Sequence, residues 1–219
     1  MPPIVVFNVQ QRHFDNHQGG NIGGVAPLHV AIDQTSKKPA TTFYTEGNSQ
    51  PGKIPMVDWY TTIPVDAGAK NLSLAYDLTP DGRVAGNGWA LERDVKLTKS
   101  GKTANFSFEC VITSGWKLQI SKFGGGWADI GASIPPLTAN IAHHFLHRYA
   151  FDFGTWKYSY LAINIDGQEF PVPTGLQNLA FEDTGWSDGA LFQFQQDSRP
   201  DLSDPAFMET LENCTMTTW

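Results

Sequence analysis

The stretch Asn140–Phe170, NIAHHFLHRYAFDFGTWKYSYLAINIDGQEF, writes two strands and two turns in one run. Successive side chains of an extended chain point to opposite faces. On the second strand, Tyr158, Tyr160, Ala162 and Asn164 are therefore expected on one side, and Ser159, Leu161, Ile163 and Ile165 on the other. The second set is apolar and predicts the packed face; the first offers phenols and an amide, the wall of a cleft. Asp166-Gly167 follows as a hairpin turn, because glycine reaches positive φ with no Cβ to clash. A further strand starts at Gln168.

The same alternation extends outward from this stretch. Strands are expected at Ile4–Val9, Pro27–Ile32, Thr41–Tyr44, Val57–Thr62 and Asn71–Leu78, separated by HFDNHQGGNIGG, the basic QTSKKP and other breaker-rich segments. Strand and turn signals recur about every ten residues, the spacing of a sandwich or barrel. In Trp89–Leu97, the residues Trp89, Leu91, Arg93, Val95 and Leu97 share one face, while Ala90, Glu92, Asp94 and Lys96 share the other. Phe106, Phe108 and Cys110 oppose Asn105, Ser107 and Glu109; Trp116, Leu118 and Ile120 oppose Lys117, Gln119 and Ser121; Phe192, Phe194 and Gln196 oppose Leu191, Gln193 and Gln195. Each strand thus presents an apolar face and a face of amides and carboxylates with few lysines, which suits a ligand-facing sheet. No period of 3.6, repeat or linker stands out, so the expectation is one all-β domain over 1–219.

A hydrophobic content of 41% with 17% charged residues predicts a chain that buries a core. The net charge of −7 gives a field that repels nucleic acid, anionic lipid and polyanionic sugars. No apolar run spans a bilayer, and the first residues lack a basic n-region and a long apolar core, so a cytoplasmic protein without membrane contact is expected. The two cysteines, Cys110 and Cys214, are too few for a disulfide framework; Cys110 reads as a core thiol.

Four segments resemble the concanavalin A-like lectin and glucanase superfamily and its laminin-G-like members: GWKLQISKFGGGWADIG, PPLTANIAHHFLHRYAFD, KYSYLAINIDGQEF and the closing LENCTMTTW. Ala142-His143-His144-Phe145, followed by a strand ending in Asp166-Gly167, is similar to a laminin-G-like pattern. The resemblance covers about the last half of the chain. It implies a jelly-roll sandwich of two antiparallel sheets, one of them concave. The superfamily's glucanases carry a Glu-x-Asp-x-Glu strand; here Glu92 and Asp94 match and Lys96 stands in place of the last Glu. The jelly-roll polysaccharide lyases use an arginine strand, a Gln-Ile-His strand and a catalytic Tyr; here Arg93 and Gln119-Ile120-Ser121 match in part, and Tyr158 or Tyr160 would supply the phenol.

The candidate catalytic set is Tyr160, His144, Tyr158 and Arg93, because an imidazole beside a phenol forms a working acid–base pair at neutral pH. Candidate ligand contacts are Glu92, Asp94, Glu109, Gln119, Arg148, Asn164, Trp186, Gln193 and Gln195. His13, Asp15 and His17 share a face if extended and would suit a transition metal, yet the segment reads better as a polar loop, and no metal or cofactor is expected. The long loop PVPTGLQNLAFEDTGWSDG carries acids that leave a structural calcium open. Two functions fit. One is a metal-independent lyase, or an intramolecular cyclase or isomerase, acting on a largely uncharged small metabolite or sugar chain. The other is a lectin-like carbohydrate-binding protein, and in either case a monomer or homodimer is expected.

Overall fold

The structure, a computed structural model, describes residues 3–19, 24–35, 40–48, 50, 53–65, 68–122, 126–177, 179–203 and 205–219. Glycines 20 and 23 of the first polar loop, and the residues 36–39 that complete QTSKKP, lie outside them.

The described strands are β1 (Ile4–Val6), β2 (Asp15–Gln18), β3 (His29–Thr35), β4 (Ala40–Glu46), β5 (Met56–Ile63), β6 (Asn71–Pro80), β7 (Gly88–Lys99), β8 (Lys102–Val111), β9 (Lys117–Ser121), β10 (Trp127–Ser133), β11 (His143–Asp152), β12 (Lys157–Ile165), β13 (Gln168–Phe170), β14 (Leu179–Ala180), β15 (Glu182–Asp183), β16 (Gly189–Ser198) and β17 (Ala206–Thr218). Helix is confined to short turns, the longest being Val84–Asn87. All strand pairs are antiparallel and fall into two sheets. The nine-stranded sheet runs β13-β12-β11-β6-β17-β4-β3, with β1 beside β17 and β14 beside β12; the eight-stranded sheet runs β10-β9-β8-β7-β16-β5-β2, with β15 beside β8.

The inward faces supply one core. Leu72, Leu74, Tyr76 and Leu78 of β6 and Phe145, Tyr149 and Phe151 of β11 meet Leu91, Val95 and Leu97 of β7, Phe106, Phe108 and Cys110 of β8, and Phe192 and Phe194 of β16. Period-2 alternation explains these placements: β6 and β11 bury every second residue, while β7, β8 and β16 are buried on both faces.

On β12 the alternation breaks. Arg148 of β11 pairs with Ala162, but Tyr149 pairs with Tyr160, so Leu161 is an extra residue at a bulge. Tyr158 and Tyr160 point inward before it, Ile163 and Ile165 point inward after it, and Leu161 is exposed. The expectation that the tyrosines face away from the isoleucines is therefore wrong. A one-residue slip flips every later side chain. Tyr160 reaches across to the eight-stranded sheet, where its hydroxyl accepts from Ser107 N (2.9 Å) and lies 2.8 Å from Ser121 Oγ.

A polar spine runs through the core. Arg93, inward on β7, donates from Nη2 to Glu209 Oε1 of β17 at 3.2 Å and from Nη1 to the Glu92 carbonyl at 2.6 Å. Its guanidinium lies 3.5 Å from the Phe194 ring centroid. Gln196 donates to Glu209 Oε2 (3.2 Å), and Trp59 donates to Gln196 Oε1 (3.3 Å). Both charges are almost fully buried, so each depends on the other for its solvation. Removing one partner, as in Glu209→Leu, is expected to cost about 3–5 kcal/mol in a denaturant melt. The paired Arg93→Leu/Glu209→Leu variant should recover most of that loss, and failure to do so would show that the pair is not the source of the penalty.

Candidate active site

The two central strands of the eight-stranded sheet, β7 and β16, turn Glu92, Asp94 and Lys96, and Gln193, Gln195 and Asp197, away from the core onto the concave face. The antiparallel register lines their neighbours up across the strands. Gln119, Glu109, Glu92, Gln195, Asp58 and His17 form one row, on β9, β8, β7, β16, β5 and β2 in turn. Ser107, Asp94, Gln193, Tyr60 and Asp15 form the next. Residues far apart in the chain thus stand about 5 Å from one another.

Carboxyl oxygens of Glu92, Glu109 and Asp197 all lie within 4.8 Å of one another, and all three residues are buried. Gln195 Nε2 donates to both Asp197 oxygens, at 2.9 and 3.1 Å. Asp94 Oδ2 sits 3.2 Å from Lys96 Nζ, which also donates to Gln193 Oε1 at 2.8 Å. Asp94 follows Glu92 two residues along the same strand, on the same face. Burial pushes the Glu92 carboxyl well up, reinforced by the charges of Asp94, Asp197 and Glu109. Asp197 is driven the same way by burial and Glu109, against the pull of Gln195. Burial and then Asp94 push Glu109 up to about 7. Three carboxyls this close cannot all ionise, so at neutral pH the cluster holds protons and charges side by side.

The face continues into a cavity of about 300 Å³ walled by Trp186, Tyr60 and Leu191 and edged by Asp58, Lys96 and Gln193. Trp186 is 51% exposed, with Lys96 Nζ 5.8 Å from its ring centroid. His17 Nδ1 stands 3.6 Å from Asp58 Oδ2.

Of the expected ligand contacts, Glu92, Asp94, Glu109, Gln119, Gln193, Gln195 and Trp186 all meet here. The others do not. Arg93 is the core ion pair, and Tyr158 and Tyr160 are buried between the sheets, on the far side of the bulge's phase shift. His144 lies on the outer face of the nine-stranded sheet, 2.7 Å from Asp77. The imidazole–phenol pair is therefore divided by the sheet backbone. Arg148 on that same outer face donates to Glu169 (3.0 Å), and Asn164 Oδ1 accepts from Gly167 N and braces the turn (3.0 Å). His147 is enclosed and pushed down to about 3 by burial and by Arg93, a neutral core residue on Tyr76.

Asp197, Asp58 and Tyr60 also stand on this face although the sequence reading did not single them out, and His17, read there as part of a metal group, stands beside Asp58. Asp197 merely continues the Leu191, Gln193, Gln195 alternation by one step, and Asp58 and Tyr60 alternate with Val57 and Trp59, so the signal was there. The His13/Asp15/His17 group does not gather, since His13 meets Asp15 while His17 turns to Asp58. The acids of the long loop are spent individually, Asp183 on Lys102 and Asp188 on Ser100 N, both at 2.6 Å. Among the described residues the spacing that one small cation could bridge is that of Glu92, Glu109 and Asp197.

No family model matches this chain, and no curated protein is similar to it in sequence. Its fold is similar to that of alginate lyase vAL-1 from Chlorella virus, with 10% identity and a TM-score of 0.51 over 87% of this chain and 89% of that one. A Bacillus licheniformis beta-glucanase matches at 10% identity and a TM-score of 0.51 over 99% and 98% of the two chains. The endo-beta-1,4-glucuronan lyase of the fungus Trichoderma reesei matches at 10% identity and 0.50, over 95% and 96%. The chain has the concanavalin A-like jelly-roll fold, with one concave sheet.

Glu109 holds its proton more tightly in the folded chain than at the ordinary value of 4.5. Folding therefore loses stability as pH rises from about 4.5 to about 7, and the penalty is complete above that. Glu109→Gln removes it. Its melt at pH 8 should gain on the order of 3 kcal/mol relative to its effect at pH 4; equal effects at both pH values would show that Glu109 titrates normally.

Proposed function

We propose that the concave face is the active site of a carbohydrate-active enzyme that binds a sugar chain free of acidic groups and works by proton transfer between carboxyl groups. The observation that carries this reading is the buried meeting of Glu92, Glu109 and Asp197 within 4.8 Å at the centre of the face. A carboxyl kept protonated at neutral pH donates to a leaving oxygen, while an ionised neighbour accepts a proton from the substrate or from water. Glu109, across the strand pair from Glu92, stands in for the acid that Lys96 displaces from the Glu92-Asp94 strand. The roles first expected of His144 and Tyr160 pass to these carboxyls. An acidic cleft disfavours uronate polymers through like-charge repulsion.

The half-exposed Trp186 supports the neighbouring task of binding. An indole offers a flat apolar surface to a sugar ring, while Gln193, Asp58 and Lys96 reach its hydroxyls. A lectin-like role uses the same surface without turnover, and the Trp186 platform alone would serve it.

Screening oligosaccharides without acidic groups, neutral and amino-sugar alike, for cleavage separates the two. Turnover should fall at least about a hundredfold in Glu92→Gln and Glu109→Gln, each with an intact fold, and the rate should change across pH 7, where Glu109 titrates. Tight binding with no product from any sugar chain would leave the lectin.

A further inference from the structure

The charge on this face goes beyond what a neutral ligand needs. At its centre stand Asp58, Glu92, Asp94, Glu109 and Asp197, with the ammonium of Lys96 and the half-exposed imidazole of His17 among them, while Lys117 at the edge of the face is paired with Asp129. Two of those acceptors are incompletely used: Asp94 Oδ1 and Asp58 Oδ1 are buried and receive no hydrogen bond from the chain. Buried acceptors without donors are costly, and their persistence at a cleft points to a partner that brings the donors.

Lys96 shows what that partner looks like. Its Nζ is held by an aspartate oxygen at 3.2 Å, an amide oxygen at 2.8 Å and the indole face of Trp186 at 5.8 Å. This is the coordination an ammonium prefers: a counter-ion, a neutral acceptor and a π surface. The adjoining cavity offers a second set of the same groups, with Asp58 at its edge and Tyr60 and Trp186 as walls.

We infer that the ligand of this face carries protonated amines, the class being a sugar chain built of amino sugars with free amino groups. The inference rests on the reading of the face as a sugar-chain site and adds the charge. Ring faces stack on Trp186, and ammonium groups settle against the donor-free oxygens of Asp58 and Asp94. Lys96 occupies one ammonium position in the unliganded chain and competes for it.

Calorimetric titration of four oligomers of equal length tests this: glucosamine, N-acetylglucosamine, glucose and mannuronate, each below the pKa of the glucosamine amines. The glucosamine oligomer should bind about tenfold or more tightly than its N-acetylated twin, with an advantage that shrinks as salt is added. Asp94→Asn should reduce that advantage. Lys96→Met, or Lys96→Gln if the methionine variant melts early, should strengthen binding of the glucosamine oligomer alone, because it vacates an ammonium position. Equal or tighter binding of the N-acetylated or glucose oligomer overturns the charge assignment while leaving the sugar site standing. So does a Lys96 variant with unchanged affinity. Failure of all four to bind overturns both.

Discussion

The buried ion pair between Arg93 and Glu209 is the constraint on which the molecule's working face depends. It ties the centre of one sheet to the centre of the other, and a guanidinium sealed against Phe194 has no second place to go. Because side chains alternate, holding Arg93 inward holds Glu92 and Asp94 outward. A slip of one residue on β7 would bury two carboxyls in the apolar core and leave Glu209 without its cation, which costs far more than any local contact could return. The core thereby sets the register that the concave face displays.

That face is unusual for the acids it concentrates. Cross-strand pairing brings together side chains from β5, β7, β8 and β16, and packed side by side Glu92, Asp94, Glu109 and Asp197 are removed from water. The result is mutual: each carboxyl raises the proton affinity of the next, and burial raises them all. Lys96 and Gln195 relieve the strain only in part, on Asp94 and Asp197. Such a surface stores protons at neutral pH and favours ligands that donate, which is why the proposed acid–base chemistry and the proposed amine recognition draw on the same groups.

Much of this was legible in the chain. The alternation in β7, β8, β9 and β16 separated core from face residue by residue, and six expected ligand contacts meet on the face as a consequence, with Trp186 joining them from the loop before β16. Strand β12 misled because a bulge is invisible to a period-2 reading. Leu161 looks like an inward residue until Tyr149 is seen to pair with Tyr160. His144 and Tyr160 were judged partners because both are capable of proton transfer, and nothing in their spacing says which side of which sheet each will occupy.

By itself the sequence determined the fold class and, on β7, β8, β9 and β16, which residues face away from the core, since both follow from local alternation and the turns that punctuate it. Only the tertiary structure decided which faces look at each other. Glu92, Glu109 and Asp197 are spread over more than a hundred positions of the chain, and they become one cluster through strand order and register. Strand order and register are set by long-range packing of the two sheets, with the Arg93–Glu209 pair at its centre, and no window of neighbouring residues encodes them.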